Sequence, residues 1–168
     1  IGATVEPLQP MVLVEREEPG GEGDDTLIHF WDGQGSERVV RAVGWSDAQT
    51  QRVAGGRLYY GRRYADPEGV TELTVPDVLE ACQGAVPSPD GERLAWMCTD
   101  MVDTSAVMRG EQPEYHFALA VTDGEGGQPR VVWETTSRHP SYLSPYAVGW
   151  REDGDTLYLA QRDFMMAG

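Results

Sequence analysis

The stretch Pro87-Ser88-Pro89-Asp90-Gly91-Glu92-Arg93-Leu94-Ala95-Trp96 decides how this chain is read. Asp-Gly marks a turn, because glycine enters positive φ without steric cost and the aspartate bonds to nearby backbone. The apolar run after it, Leu94–Cys98, reads as a strand leaving that turn. The stretch recurs. From Trp150 the chain reads WREDGDTLYL, and Asp90, Gly91 and Leu94 map onto Asp153, Gly154 and Leu157 at one constant offset. A weaker copy, GGRLYY, occupies Gly55–Tyr60.

A second hairpin type matches separately, HFWDGQGSERVV from His29 and AVTDGEGGQPRVV from Ala120. The tetrapeptide AVGW also occurs twice, at Ala42–Trp45 and Ala147–Trp150. Two alternating hairpin types are what a repeated four-stranded unit requires. Each Asp-Gly (Asp32-Gly33, Asp90-Gly91, Asp123-Gly124, Asp153-Gly154) is expected to supply a positive φ at its glycine. Further strand candidates are Met11–Glu15, Leu27–Trp31, Val39–Val43, Leu58–Arg62, Phe117–Thr122, Val131–Glu134 and Leu157–Gln161. One modest helical candidate spans Val75–Cys82. The predicted class is all-β.

The segment Ser88–Trp96, SPDG-x-x-LAW, resembles the repeat of TolB-like β-propellers, which are related to WD repeats and to the propellers of prolyl-oligopeptidase-type peptidases. The resemblance implies that Pro89-Asp90-Gly91 turns between the first and second strands of a blade, and that Leu94 and Trp96 pack between blades. Arg151–Gly154 keeps only the Asp-Gly, and Gly55-Gly56 keeps only a glycine. The expected fold is a single domain over residues 1–168, an incomplete β-propeller of about three to four antiparallel blades arranged radially. The blades fall at about 11–43, 52–79, 85–134 and, incomplete, 146–168. Because a propeller closes with roughly four to eight blades, a protein partner or the missing remainder of the propeller is expected to cover the edge at Leu157–Asp163.

Composition narrows the function classes. The net charge of −15 argues against binding a nucleic-acid backbone, which needs clustered cations. All 13 basic residues are arginine, and a GC-rich genome is the plain reading of that usage. Scattered acidic residues (Glu15, Glu17, Glu18, Glu22, Asp24, Asp25) read as a solvated surface. No apolar run approaches the ~20 residues of a membrane span. Ile1-Gly2-Ala3 carries no signal pattern, so the chain is expected to be a processed or trimmed piece.

Cys82 and Cys98 are the two cysteines. With Pro89–Gly91 as the hairpin centre, Cys82 falls opposite Cys98 to within about one residue, and facing Cβ atoms approach to about 4.5–5.5 Å. That places them within reach of a disulfide and the chain in an extracytoplasmic (periplasmic, secreted or surface-anchored) compartment. Two reduced, buried cysteines are the alternative, and metal binding is not expected without nearby histidine.

The chain lacks the motifs of common chemistries: no Gly-x-Ser-x-Gly elbow, no HExxH, no P-loop and no dinucleotide fingerprint. No catalytic residue, metal or cofactor is expected. His29 and His116 lie in or beside strands that begin a second hairpin; equivalent positions meeting at an axis would make a metal or acid/base site, and ordinary strand-face histidines compete with that reading. His139 reads as a loop residue. Asp153-Gly154-Asp155 and Glu22–Asp25 invite calcium but lack a full loop spacing and are explained as turns.

Two stretches carry candidate binding residues. In Tyr59–Tyr64, strand alternation predicts Tyr60, Arg62 and Tyr64 on one face, where arginine between aromatic rings can hold an anionic or planar ligand or simply pair with carboxylates. The long link Asp100–Glu114 carries Met101, Val102, Val107 and Met108, an apolar loop that either meets a partner or tucks onto its own sheet. The functional expectation is a non-catalytic extracytoplasmic propeller used for ligand or protein binding and scaffolding. The alternatives are a gating propeller of a serine peptidase, with its catalytic domain outside this chain, and catalysis at the axis through a cluster including His29 and His116.

Overall fold

Pro87–Trp96 folds as a turn between two antiparallel strands, β8 (Ala81–Pro87) and β9 (Arg93–Met101). The computed structural model describes residues 11–16, 26–42, 51–78, 81–138 and 148–160, and these are all-β apart from one short helix. The first sheet holds β1 (Met11–Arg16), β2 (Thr26–Trp31) and β3 (Glu37–Ala42). The second holds β4 (Gln51–Ala54), β5 (Arg57–Tyr60), β6 (Arg63–Asp66) and β7 (Gly69–Glu72). The third adds β10 (Tyr115–Asp123) and β11 (Arg130–Ser137) to β8 and β9, and the fourth pairs β12 (Val148–Trp150) with β13 (Leu157–Leu159). Within each sheet every strand bonds antiparallel to its sequence neighbour, so each sheet is a meander.

The repeats seen in the sequence reappear as hydrogen bonds. In the first turn type, Ser88 N–H donates to the Arg93 carbonyl and Gly91 N–H to the Ser88 carbonyl, at 2.9 Å each. Arg151 to Thr156 and Gly154 to Arg151 repeat that pattern at 2.8 and 2.9 Å. In the second type, Asp123 Oδ1 accepts from the amides of Glu125 and Gly127, as Asp32 Oδ1 does from Gln34 and Ser36. Aspartate therefore closes the turns through its carboxylate, the Asx-turn role. Gly33, Gly91 and Gly154 take the expected positive φ, but Gly124 does not; Gly126 and Gln128 bend that turn instead. Asp66 closes the β6–β7 turn in the same manner, accepting from the amides of Glu68 and Gly69, two and three residues on, without an Asp-Gly pair to announce it.

Core residues collect between consecutive sheets. Ile28, Phe30 and Ala42 of the first sheet share a cluster with Leu58, Tyr60 and Ala65 of the second. The other face of the second sheet, with Tyr59 and Tyr64, joins Leu94, Trp96, Ala118 and Ala120 of the third. Ala95, Met97 and Leu119 then meet Val148, Trp150 and Leu157 of the fourth. Full burial of one such side chain is worth about 1.5–3 kcal/mol, whereas an exposed ion pair such as Arg93–Asp155 is worth about 0–1. Apolar faces hold the sheets together.

Three expectations are corrected. Residues 73–78 form no helix and Cys82 sits inside β8: Val75 and Val78 pack against the core from an irregular segment, and residues 79–80 of the expected helix lie outside the described residues. Leu58–Arg62 is not one strand: Gly61 and Arg62 turn the chain, so β5 pairs back onto β6. The third sheet is longer than expected, running from Ala81 to Ser137.

Candidate functional site

The meanders create two ends. The turns Gly55-Gly56, Asp90-Gly91 and Gly124–Gly126 share one end, since each joins strands whose other termini lie away from it. They interlock there. Tyr59 donates its hydroxyl to the Gly91 carbonyl at 3.3 Å, Thr74 N–H donates to the Glu125 carbonyl at 2.9 Å, and Arg93 pairs with Asp155 at 2.8 Å. Gly55, Arg57, Asp90, Gly91, Glu92, Gly124 and Glu125 line a depression of about 410 Å³. The Arg57 guanidinium stands 4.3 Å over the Tyr64 ring. The Ser88 hydroxyl, followed by the Glu92 amide, holds the Asp90 carboxyl below its usual range. Burial pushes the Tyr59 phenol up.

At the opposite end lies the link between β9 and β10, which folds around helix α1 (Thr104–Met108). Asp103 caps it, accepting from Ser105 N–H at 2.9 Å and from the Ser105 hydroxyl at 2.6 Å. Arg109 donates to Asp103 and Glu111 at 2.8 Å and also bonds Ser105. The Ser105 hydroxyl and then Arg109 hold the Asp103 carboxyl at about 2. Ala106 is buried, while Val102, Val107 and Met108 face solvent, Met108 at 92% exposure.

The five predicted binding residues separate into two groups. Tyr60 is buried against the first sheet, and Tyr64 packs with Tyr59 on the opposite face of the second sheet, ring centroids 5.7 Å apart. The predicted common face of Tyr60, Arg62 and Tyr64 is therefore not formed, because the β5–β6 turn breaks the alternation. Arg62 lies in that turn and donates to the Cys82 carbonyl at 3.3 Å. Arg62, Met101 and Met108 all lie at the α1 end, with Met101 half-buried.

His29 and His116 do not meet. His29 Nδ1 lies 2.6 Å from Glu37 and its ring stacks on Trp31, while His116 Nε2 lies 3.5 Å from Glu134. Each histidine meets a glutamate placed diagonally on the next strand. Among the described residues, no group of three or more His, Cys, Asp or Glu is placed to hold a metal. Asp153 Oδ1 accepts from the amides of Asp155 and Thr156, so that segment is a closed turn. Glu22–Asp25 and His139 lie outside the described residues, as does most of the first AVGW copy.

Cys82 and Cys98 form a disulfide, paired directly across β8 and β9. No helix among the described residues is long and apolar enough to cross a membrane. The chain matches no protein-family model, and no curated protein or solved structure matches it.

Proposed function

We propose that the four sheets are blades of a TolB-like β-propeller that serves as a non-catalytic module for protein binding in an oxidising, extracytoplasmic compartment. The observation that carries this reading is the equivalence of Leu58, Leu94 and Leu157. Each follows the first turn of its sheet by the same step, and each shares a cluster with the preceding sheet. The next residues, Tyr59 and Ala95, share clusters with the following sheet. Tyr158, the third of that set, is 55% exposed. A unit repeated with a fixed face-to-face relation is the building rule of a propeller, and Tyr158 marks the face on which another sheet or a protein partner would continue it. The disulfide supports the compartment.

Binding is assigned to the α1 end, where a loop fixed by Asp103 and Arg109 presents Met108 to solvent. An ordered loop meets a partner at lower entropic cost than a mobile one, and methionine adapts to varied surfaces. Photo-crosslinking side chains installed at Met108 and, separately, at Glu92 test the assignment. Adducts dependent on position 108 support it; adducts only at position 92, or at neither, overturn it. A structure of the protein showing the sheets in a flat stack, without rotation about a common axis, would overturn the propeller.

A further inference from the structure

Cys82 and Cys98 are 2% and 1% exposed and share a cluster with Tyr59, Tyr64 and Leu73, all supplied by the second sheet and the chain just after it. β4 and β5 lie against β8, and the Arg62 guanidinium bonds the Cys82 carbonyl at 3.3 Å. The cysteines are only 16 residues apart on two strands of one hairpin, so the third sheet can bring them together without help from its neighbours.

From this geometry we infer that the bond closes on the β8–β9 hairpin before the second sheet docks, and that docking then seals it. Exchange with an oxidant of the disulfide class, such as oxidised glutathione, runs in two displacements. One cysteine thiolate attacks a sulfur of the oxidant, forming a mixed disulfide and releasing one thiol after protonation. The second cysteine thiolate attacks the protein sulfur of that mixed disulfide and releases the second thiol. The chain loses two electrons and two protons, and one oxidant molecule becomes two thiols. The mixed disulfide needs room for the oxidant's bulk beside a cysteine, and the packed cluster of Tyr59, Tyr64 and Leu73 leaves none. The same wall blocks the reverse reaction, so the oxidised protein behaves as a one-way latch: an oxidised hairpin, once covered, stays oxidised.

The test uses the full chain. Native oxidised protein is held in dithiothreitol with and without denaturant, and free thiols are followed by alkylation and mass spectrometry. Reduction is expected to be at least ~100-fold slower without denaturant, since it waits on opening of the sheet interface. In a second arm, the reduced, unfolded chain is refolded with oxidised glutathione present from the start or added after refolding. The early oxidant is expected to give the disulfide, and the late oxidant to leave both thiols unreacted or reacting at least ~100-fold slower. A reduced chain that does not fold at all also supports the order, since oxidation would then be a precondition of docking. Reduction of the native protein, or late oxidation of the refolded one, at rates within about tenfold of the unfolded chain would overturn the inference.

Discussion

Cys82 sits directly across from Cys98 because Gly84 and Ala85 together oppose the single residue Trp96. Nearer the turn, Pro87 pairs with Leu94 and Val86 with Ala95. Carried on without interruption, that register would set Cys82 against Thr99 and Cys98 against Gln83, with the two sulfurs on opposite faces. One extra residue, with Gly84 at φ 66°, shifts the ladder by one and brings them together. Beside the turn the strands pair about a point between Asp90 and Gly91, and the bulge moves that centre back to Asp90, the residue midway between the two cysteines.

Gly84→Val is expected to cost about 1–2 kcal/mol, the penalty of a left-handed backbone for an L-residue, and to lower the yield of oxidised protein. Deleting Gly84 is expected to keep the disulfide, since removing the extra residue gives the same Cys82–Cys98 pairing with no bulge. Denaturant unfolding and thiol titration of the two variants check this; a deletion variant with free thiols would show that the bulge does more than set register.

Trp96 is fully buried and donates its Nε1–H to the Thr122 hydroxyl at 3.0 Å. Thr122→Val leaves that donor unsatisfied, at about 1–3 kcal/mol. A double-mutant cycle with Trp96→Phe isolates the bond. The threonine substitution is expected to cost less when Trp96→Phe is already present, because the donor is gone.

Gly55 packs so closely on the neighbouring turn that a Cβ would lie 2.2 Å from the Asp90 carbonyl oxygen, and its own φ is +55°. Backbone cannot yield as a flexible side chain would. Gly55→Ala is expected to destabilise the protein by about 2–5 kcal/mol, overpacking and backbone strain combined. Gly56, at φ +75° with nothing within 4 Å, controls for strain alone, and Gly56→Ala is expected to cost about 1–2 kcal/mol in chemical denaturation.

Asp103 is expected to titrate with a midpoint of about 2, followed by carboxyl-carbon NMR. A depressed carboxylate stabilises the folded loop above its unfolded value near 3.8, and that contribution is lost as pH falls through about 2. The Ser105 hydroxyl is the leading cause of the shift, ahead of Arg109. Ser105→Ala is therefore expected to raise the midpoint further than Arg109→Gln does. The reverse order would mean that charge, rather than the hydroxyl bond, sets the acidity of this cap.

The two turn types were legible because each writes its hydrogen bonds into sequence at fixed offsets: Asp90 and Asp153 share one pattern, Asp32 and Asp123 the other. The Asp66 turn was missed because its glycine, Gly69, stands three residues from its aspartate with Pro67 between. The alternation read along Tyr59–Tyr64 ran straight through Gly61, where the chain reverses; a period of two looks the same in one strand as in two strands joined by a two-residue turn. The all-β class and the cysteine pairing follow from local rules. Arg62 against the Cys82 carbonyl, the turn-lined depression and the α1 cap depend on which sheets meet, and no single segment encodes that.

The outermost strand of the third sheet also has an extra residue. Leu119 pairs with Trp133 and Ala120 with Val131, so Val132 stands unpaired within β11, and both valines are 42% exposed. A flat, valine-rich rim would invite strands from other molecules to add on in solution. Here the hydrogen-bonding row is broken midway along the rim, so an incoming strand could match only a few residues before losing register. Removing Val132 is therefore expected to even out the rim and make the protein more prone to associate at high concentration, an outcome that light scattering would read.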